Sequence, residues 1–70
     1  MNKYEIILYW SAEDTAYIAE VPELAGCIAH GKTEEIALKN IKAAMELWLK
    51  TSLEFNEEIP VPKGRKLIYA

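Results

Sequence analysis

The chain has 70 residues, 51% of them hydrophobic, and a formal net charge of −3 at pH 7. This length allows one small domain of marginal stability. The single cysteine and single histidine exclude an internal disulfide and argue against a Cys/His metal site. We therefore expect neither a metal nor a cofactor, and we expect association with a second copy or another protein to supply added stability.

An N-terminal β-hairpin is the first predicted element. Residues Tyr4–Trp10 are rich in β-branched and aromatic side chains, which is typical of a strand. The polar stretch Ser11–Thr15 has the length of a hairpin loop, and Ala16–Val21 is predicted to return antiparallel to the first strand. Strand alternation puts Ile7 and Tyr9 on one face of the sheet, so that face is only partly polar.

A loop and a short third strand follow the hairpin. Pro22 cannot donate a hydrogen bond to a neighbouring strand, and Gly26 permits backbone angles that are closed to other residues. The sheet is therefore expected to be interrupted here. Cys27–His30 is predicted as the third strand, which ends at Gly31.

The clearest predicted helix runs from Glu34 to about Leu53, with Thr33 as its N-cap. At about 100° per residue, one arc of roughly 140° contains most of the large apolar side chains. These core candidates are Ala37, Leu38, Ile41, Ala44, Met45, Trp48 and Leu49. An additional apolar flank of the helix consists of Ile36, Ala43 and Leu47. With this flank, the apolar side of the helix is wider than a contact with one sheet needs. The flank therefore either meets another chain or lies under the C-terminal tail.

The tail is predicted to be extended and then to form a last strand. Each proline in Ile59–Pro62 restricts the residue before it to extended angles. Lys66–Tyr69 is expected to form a strand parallel to the third and beside the first, after a right-handed crossover. The predicted fold class is therefore α+β, in the order β-β-β-α-β, as a single domain over residues 1–70. One helix packs on a mostly antiparallel sheet, and the other sheet face is solvated or covered by another chain.

Groups that support catalysis are sparse. Cys27 and His30 are three residues apart on a predicted strand, so their side chains point to opposite faces. Asp14 is the only aspartate, and the pattern places no pair of carboxylates in a shared cleft. There is also no glycine-rich phosphate loop. We therefore predict a protein that is not an enzyme and has no catalytic, cofactor-binding or metal-binding residues.

The charges are unevenly distributed. Residues 1–58 contain all eleven acidic residues and five basic ones, a net charge of −6, whereas residues 59–70 contain three basic residues and no acid. An acidic body repels nucleic-acid phosphates and attracts a basic partner, although a solvated surface explains the same counts. The apolar run Ile6–Trp10 is too short for a signal peptide or a membrane span, which predicts a cytoplasmic protein without membrane contact.

Two segments and the tail carry motifs of a known family. Val21–Cys27 reads V-P-E-L-A-G-C, Gly31–Ile41 reads G-K-T-E-E-I-A-L-K-N-I, and Ile59–Pro62 reads I-P-V-P. With the aromatic hairpin before them, these motifs resemble the HicB family of antitoxins in order and spacing, from Tyr4 to about Pro62. One minor departure is Ile36, which shifts the family's Glu-Ala register by one residue.

The resemblance implies a partial ribonuclease H-like fold without the catalytic carboxylates. It implies a partner, a small basic HicA-like toxin that cleaves mRNA. Many family members carry a C-terminal DNA-binding domain. Because this sequence stops at Ala70, we expect no separate DNA-binding domain and no direct DNA binding. The motif residues that we expect to be structural are Pro22, Gly26, Gly31 and Thr33.

We expect toxin contacts on the hairpin and the acidic loop. The candidate toxin-binding residues are Tyr9, Trp10, Glu13, Asp14, Tyr17, Glu20 and Glu23. Trp10 and Tyr17 can equally form a cross-strand pair within the core. Two alternative functions remain: a solitary HicB-like module that binds another protein, and a nucleic-acid-acting protein on the ribonuclease H-like scaffold. The small core and the apolar helix flank further predict a homo-oligomer, a dimer or higher.

Overall fold

A computed structural model of the chain describes residues 3–62 and 64. Three antiparallel strands form a sheet in chain order, and one helix follows them. The elements are β1 (Ile7–Ser11), β2 (Ala16–Glu20), β3 (Ile28–Gly31) and α1 (Glu34–Glu54). The α+β class predicted from the sequence is confirmed. The predicted last strand, Lys66–Tyr69, lies outside the described residues.

The first strand begins later than its composition predicts. The expected start was Tyr4, whereas β1 begins at Ile7. The reason lies in the segment opposite, where residues 22–26 turn instead of continuing β2. The backbone N–H of Glu5 consequently donates to the side-chain Oε1 of Glu23 (3.4 Å) and not to a strand.

The loop between β2 and β3 is closed by its own backbone hydrogen bonds. Leu24 N donates to Val21 O (3.1 Å), and Cys27 N donates to Leu24 O (3.0 Å). Gly26 has φ +75°, a left-handed backbone angle that residues with a Cβ adopt only at a cost in free energy. The sequence prediction for Gly26 is thus confirmed, and the tight turn returns the chain to the sheet as β3.

The core lies between one face of the sheet and α1. Its buried members are Tyr4, Ala19, Val21, Leu24, Cys27, Ala37, Ile41 and Met45. The predicted apolar arc of the helix is confirmed, since its other members, Leu38, Ala44, Trp48 and Leu49, pack partly buried against this cluster. At the margin of the core, the Trp48 indole Nε1 donates to the backbone carbonyl of Ala25 (2.9 Å). The one polar group of that ring is thereby satisfied.

Thr33 caps the N-terminus of α1, as its position predicts. Its backbone is extended (φ −126°, ψ 165°), and its Oγ1 accepts a hydrogen bond from Ile36 N (3.1 Å). Glu34 and Glu35 lie in the first turn, where the helix dipole favours negative charge.

We expect Thr33→Ala to lower the free energy of unfolding by about 1 kcal/mol, because a first-turn N–H loses its acceptor. Urea denaturation followed by circular dichroism measures this change. Thr33→Ser keeps the hydroxyl and is the matched control. Equal losses in both variants would contradict the capping role of the hydroxyl.

The helix ends in a left-handed turn at Asn56. Asn56 N donates to Leu53 O (3.3 Å), and Glu57 N donates to Ser52 O (2.9 Å), which is the Schellman pattern. Asn56 has φ +53°, and asparagine is among the few non-glycine residues that tolerate this angle. The tail then runs to the start of the chain, where the Tyr4 hydroxyl donates to the carbonyl of Pro60.

Within residues 3–62, α1 falls short of the combination of length and apolar character that a membrane-crossing helix needs.

Candidate partner-binding surface

The sheet has a second face, turned away from α1, which we call the open sheet face. The pairing register aligns Ile7, Glu20 and Ile28 across the three strands. It also aligns Tyr9, Ile18 and His30. The open sheet face therefore consists of Ile7, Tyr9, Ser11, Ala16, Ile18, Glu20, Ile28 and His30.

Much of the apolar area on this face is accessible. Tyr9 is 43% exposed and Ile28 is 55% exposed. Ile18 on the central strand is only 7% exposed, flanked by its cross-strand neighbours Tyr9 and His30. A buried centre with an exposed aromatic and an exposed aliphatic side chain around it is suited to protein contact.

The hairpin turn presents acidic side chains at one end of this face. Ser11 Oγ donates to Asp14 Oδ2 (2.9 Å), and Asp14 N donates to Ser11 Oγ (3.2 Å). These two bonds fix the turn, so Asp14 has a structural role in addition to its charge. Glu13 is exposed at the tip. Thr15 completes the turn with φ +51°, an uncommon angle for a β-branched residue.

A hollow lies where the hairpin turn meets the open sheet face. Its volume is about 340 Å³, and it is lined by Asp14, Ala16, Ile18 and His30. The floor is apolar and one wall carries a carboxylate. The hollow thus combines the two features that hold the aliphatic stem and the charged head of a lysine or arginine side chain.

Trp10 and Tyr17 form a cross-strand aromatic pair. Their ring centroids are 5.1 Å apart with an interplanar angle of 68°, an edge-to-face arrangement. Both lie on the helix side of the sheet, where Tyr17 packs against the core. The cross-strand pair that the sequence left open is therefore present, but only Tyr17 of the two packs against the core. Trp10 nevertheless remains 51% exposed, because α1 packs mainly over β3 and β2 and only slightly over β1.

The structure divides the seven predicted contact residues into separate groups. Tyr9 and Glu20 lie on the open sheet face, and Glu13 and Asp14 lie in the turn at its end. Trp10 and Tyr17 lie on the opposite face of the same strands. Glu23 lies in the loop beyond the far end of β2, whose five residues span about 16 Å at 3.3 Å per residue. The first two groups form one continuous surface, and Glu23 is distant from the hairpin.

The sheet half of the chain carries acidic residues without basic ones. No lysine or arginine occurs between Lys3 and Lys32. The same stretch contains five acidic residues, which are Glu5, Glu13, Asp14, Glu20 and Glu23. Helix α1, in contrast, alternates acids with its three lysines, Lys39, Lys42 and Lys50. The negative electrostatic potential of the protein therefore lies mainly over the sheet and its loops.

The two residues with the most reactive side chains lie apart. Cys27 is buried in the core, and this burial raises the pKa of its thiol, so the nucleophilic thiolate is disfavoured at neutral pH. His30 is exposed and belongs to the open sheet face. Among residues 3–62 and 64, no group of three or more His, Cys, Asp or Glu side chains is arranged to hold a metal ion.

Sequence reasoning missed part of this surface. Ile7 was correctly placed beside Tyr9, but Ile28 and His30 were not recognised as their neighbours. Strand alternation alone assigns faces within one strand. The register between β2 and β3 is needed to align Ile28 with Ile7, and that register depends on the turn at Gly26.

Comparisons with known proteins agree on one family. The model of a family described as "HicB_like antitoxin of bacterial toxin-antitoxin system" matches residues 4–68. The UPF0150 protein ssl0259 of Synechocystis is 39% identical over 57 residues, which is 81% of this chain and 77% of that protein. The UPF0150 protein Ta0767 of Thermoplasma acidophilum is 41% identical over 58 residues, which is 83% of each chain.

A solved structure shares the fold. The crystal structure of TTHA0281 from Thermus thermophilus superposes with a TM-score of 0.76 and 29% sequence identity. The match covers 91% of this chain and 82% of that one. The sheet-and-helix arrangement described above is therefore that of a solved protein of similar size.

Proposed function

Because this chain belongs to the HicB-like antitoxin family, we propose that it binds a small basic toxin of the HicA type and covers the toxin's RNA-binding face. Family membership supports an antitoxin role in general. The identity of the toxin and the contact surface are our proposal. The observation that carries it is the stretch between Lys3 and Lys32, which holds five acidic residues and no lysine or arginine.

The proposed contact is centred on the open sheet face and the hairpin turn. A ribonuclease must present positive charge to bind RNA, and the acidic sheet half complements such a surface. Tyr9 supplies a half-exposed aromatic ring of the kind that anchors interfaces. The hollow beside Asp14 offers a place for a lysine or arginine of the toxin. Trp10 and Tyr17 lie on the opposite face of the sheet and contribute to the contact along the exposed edge of β1. Glu20 adds negative charge at the end of the open sheet face that is remote from the hairpin turn.

The toxin is inhibited by masking, without a reaction catalysed by the antitoxin. Cys27 is enclosed in the core, and His30 is exposed on the open sheet face, so the two side chains do not meet. The same negative charge that attracts a basic protein repels nucleic-acid phosphates, which disfavours a role in RNA or DNA binding. We further propose that residues 1–70 act as one neutralising domain in the cytoplasm, where a toxin that cleaves mRNA finds its substrate.

We expect Glu13→Lys to weaken toxin binding about tenfold, because it places a positive charge on the surface that meets a basic partner. Isothermal titration calorimetry with a catalytically inactive HicA-type toxin from the same genome measures the change. Glu46→Lys is the matched control. It makes the same charge change at an exposed position on α1, and we expect it to leave the affinity nearly unchanged.

Co-expression provides the functional test. Growth of cells that express the active toxin should be restored by this chain and restored less by the Glu13→Lys variant. If the chain neither binds the toxin nor restores growth, the proposed function is wrong. If both charge variants lose affinity equally, the toxin docks elsewhere than on the hairpin.

A further inference from the structure

The hollow beside the hairpin turn contains the only histidine of the sequence. Its floor is formed by Ala16 and Ile18, which are 8% and 7% exposed. Asp14 and His30 line the same hollow, and both are exposed. A carboxylate that attracts cations and an imidazole that can itself become a cation therefore share one small site.

The hairpin turn holds the carboxylate of Asp14 in place. Its Oδ2 accepts a hydrogen bond from Ser11 Oγ (2.9 Å), and Ser11 Oγ accepts one from Asp14 N (3.2 Å). The other carboxylate oxygen, Oδ1, accepts no hydrogen bond from the part of the chain that the structure describes. This oxygen is available to a cation that enters the hollow, whether that cation belongs to the toxin or is the protonated imidazole.

The side chain of His30 takes no part in joining β3 to α1. The hydrogen bond between these elements runs from the side-chain amide of Asn40 to the backbone carbonyl of His30 (2.8 Å). The imidazole belongs to the open sheet face, whereas α1 packs on the opposite face. A change in the charge of His30, or its replacement, therefore alters the hollow and leaves the packing of α1 in place.

The charged and titratable groups around His30 are mostly acidic. On or beside the open sheet face they are Glu13 and Asp14 of the turn, Glu20 of β2, Tyr9 of β1, and Lys32, which follows β3. Helix α1 contributes no lining residue to the hollow. Only Asp14 among these groups lines the hollow together with His30, so it is the partner for a positive charge there.

Building on the proposed function, we infer that the charge of His30 controls whether the hollow accepts a basic side chain of the toxin. In its neutral form the imidazole leaves Asp14 to a lysine or arginine of the toxin. In its protonated form the imidazole pairs with Asp14 and repels the incoming cation. Toxin binding therefore weakens as the pH falls through the range in which histidine side chains take up a proton.

The composition of the chain makes such an effect traceable to one residue. Histidine is the side chain that ordinarily changes charge between about pH 5 and pH 8, and this sequence has one. Carboxylates ordinarily lose their charge only near about pH 4. Burial raises the pKa of the Cys27 thiol, which keeps that group uncharged. The terminal amine also titrates near neutral pH, but it is common to the parent protein and its variants.

Isothermal titration calorimetry with a catalytically inactive HicA-type toxin tests this control at neutral pH (about 7.5) and at mildly acidic pH (about 5.5). We expect the affinity of the parent protein to fall about fivefold between the two, because like charges a few ångströms apart near a protein surface repel each other with an energy of this order. His30→Gln keeps a polar side chain but takes up no proton. Its affinity should change by less than about twofold.

His30→Lys places a permanent positive charge at the same position. At neutral pH its affinity for the toxin should be about fivefold below that of the parent protein, and acidification should lower it little further. Circular dichroism at both pH values confirms that the two His30 variants keep the fold.

Proton release on binding provides a second measurement. Because the toxin binds the neutral imidazole more tightly, complex formation near about pH 6.5 should release protons from His30. Calorimetry in two buffers of different ionisation enthalpy detects this release. The parent protein should release more protons than His30→Gln, since the groups of the toxin are the same in both complexes.

Three results would overturn the controlling role of His30. They are a parent affinity that does not change with pH, an equal loss in the parent protein and His30→Gln, and parent-like binding by His30→Lys. In each case the toxin still binds at neutral pH, so the proposed function stands. If the toxin does not bind the parent protein at neutral pH, the proposed function fails and the role of His30 fails with it.

Discussion

Replacing Ile41 by alanine is expected to remove a large part of the stability of this domain. Ile41 is completely buried at the centre of the contact between α1 and the sheet. Truncating a buried isoleucine costs about 2–5 kcal/mol, through lost burial and the cavity that remains. A domain of this size has a total stability of about 3–10 kcal/mol, at 0.05–0.15 kcal/mol per residue. The variant is therefore expected to be markedly less stable than the parent protein.

Thermal and urea denaturation of the Ile41→Ala protein measure this loss. We expect the melting temperature to fall by more than about 10 °C, since 1 kcal/mol corresponds to about 4–8 °C in a domain of this length. Leu53→Ala is the control, because Leu53 lies on the same helix and is 67% exposed. Its loss should stay below about 0.5 kcal/mol. Similar losses in the two variants would show that α1 does not pack through Ile41.

Gly31→Ala is expected to have the second largest effect. A Cβ at Gly31 would lie 2.5 Å from Ala37 N and 2.8 Å from Ile36 C, which are backbone atoms of α1. Because backbone cannot rotate away as a side chain can, the first turn of the helix must shift from β3. We expect a loss of at least about 2 kcal/mol in the free energy of unfolding, in the upper part of the range for overpacking.

Gly26 provides the contrast that identifies the cause. A Cβ at Gly26 would meet no atom within 4 Å, but its φ of +75° is unfavourable for other residues. Gly26→Ala should cost about 1–2 kcal/mol from backbone strain alone, and Gly26→Asn should cost less. At Gly31 the order of the two stability losses should reverse. Asparagine is larger than alanine, so Gly31→Asn should destabilise the protein more than Gly31→Ala. Denaturation of the four variants checks both orders, and a harmless Gly31→Ala would contradict the close approach of α1 to β3.

Local sequence patterns were sufficient for the helix and for the order of the three described strands, although β1 begins later than predicted. The 3.6-residue spacing of Ala37, Ile41 and Met45 correctly predicted the buried side of α1, and Thr33 correctly marked its start. Gly31 was identified only as part of a motif. Its physical role, a close approach between helix and strand, depends on a distance between two elements that no local pattern contains.

The candidate site was less predictable for the same reason. The seven contact residues were chosen by their place in the chain, near the hairpin or in the acidic loop. Neither criterion gives the face on which a side chain lies relative to residues of another strand. Tyr9 and Trp10 are adjacent in sequence and lie on opposite faces, and Glu23 is near Glu20 in sequence but beyond the end of the sheet. Tertiary register, and not residue type, decides which of them share a surface.

The absence of lysine and arginine between Lys3 and Lys32 also has a kinetic consequence. At physiological ionic strength, charges influence a partner over a Debye length of about 8 Å, before any atoms touch. A basic protein approaching this chain is therefore turned toward the sheet during diffusion, and more encounters become productive. The rate of capture, more than the final affinity, should respond to salt. Under the proposed function, such steering would help the chain to capture a ribonuclease before it cleaves RNA.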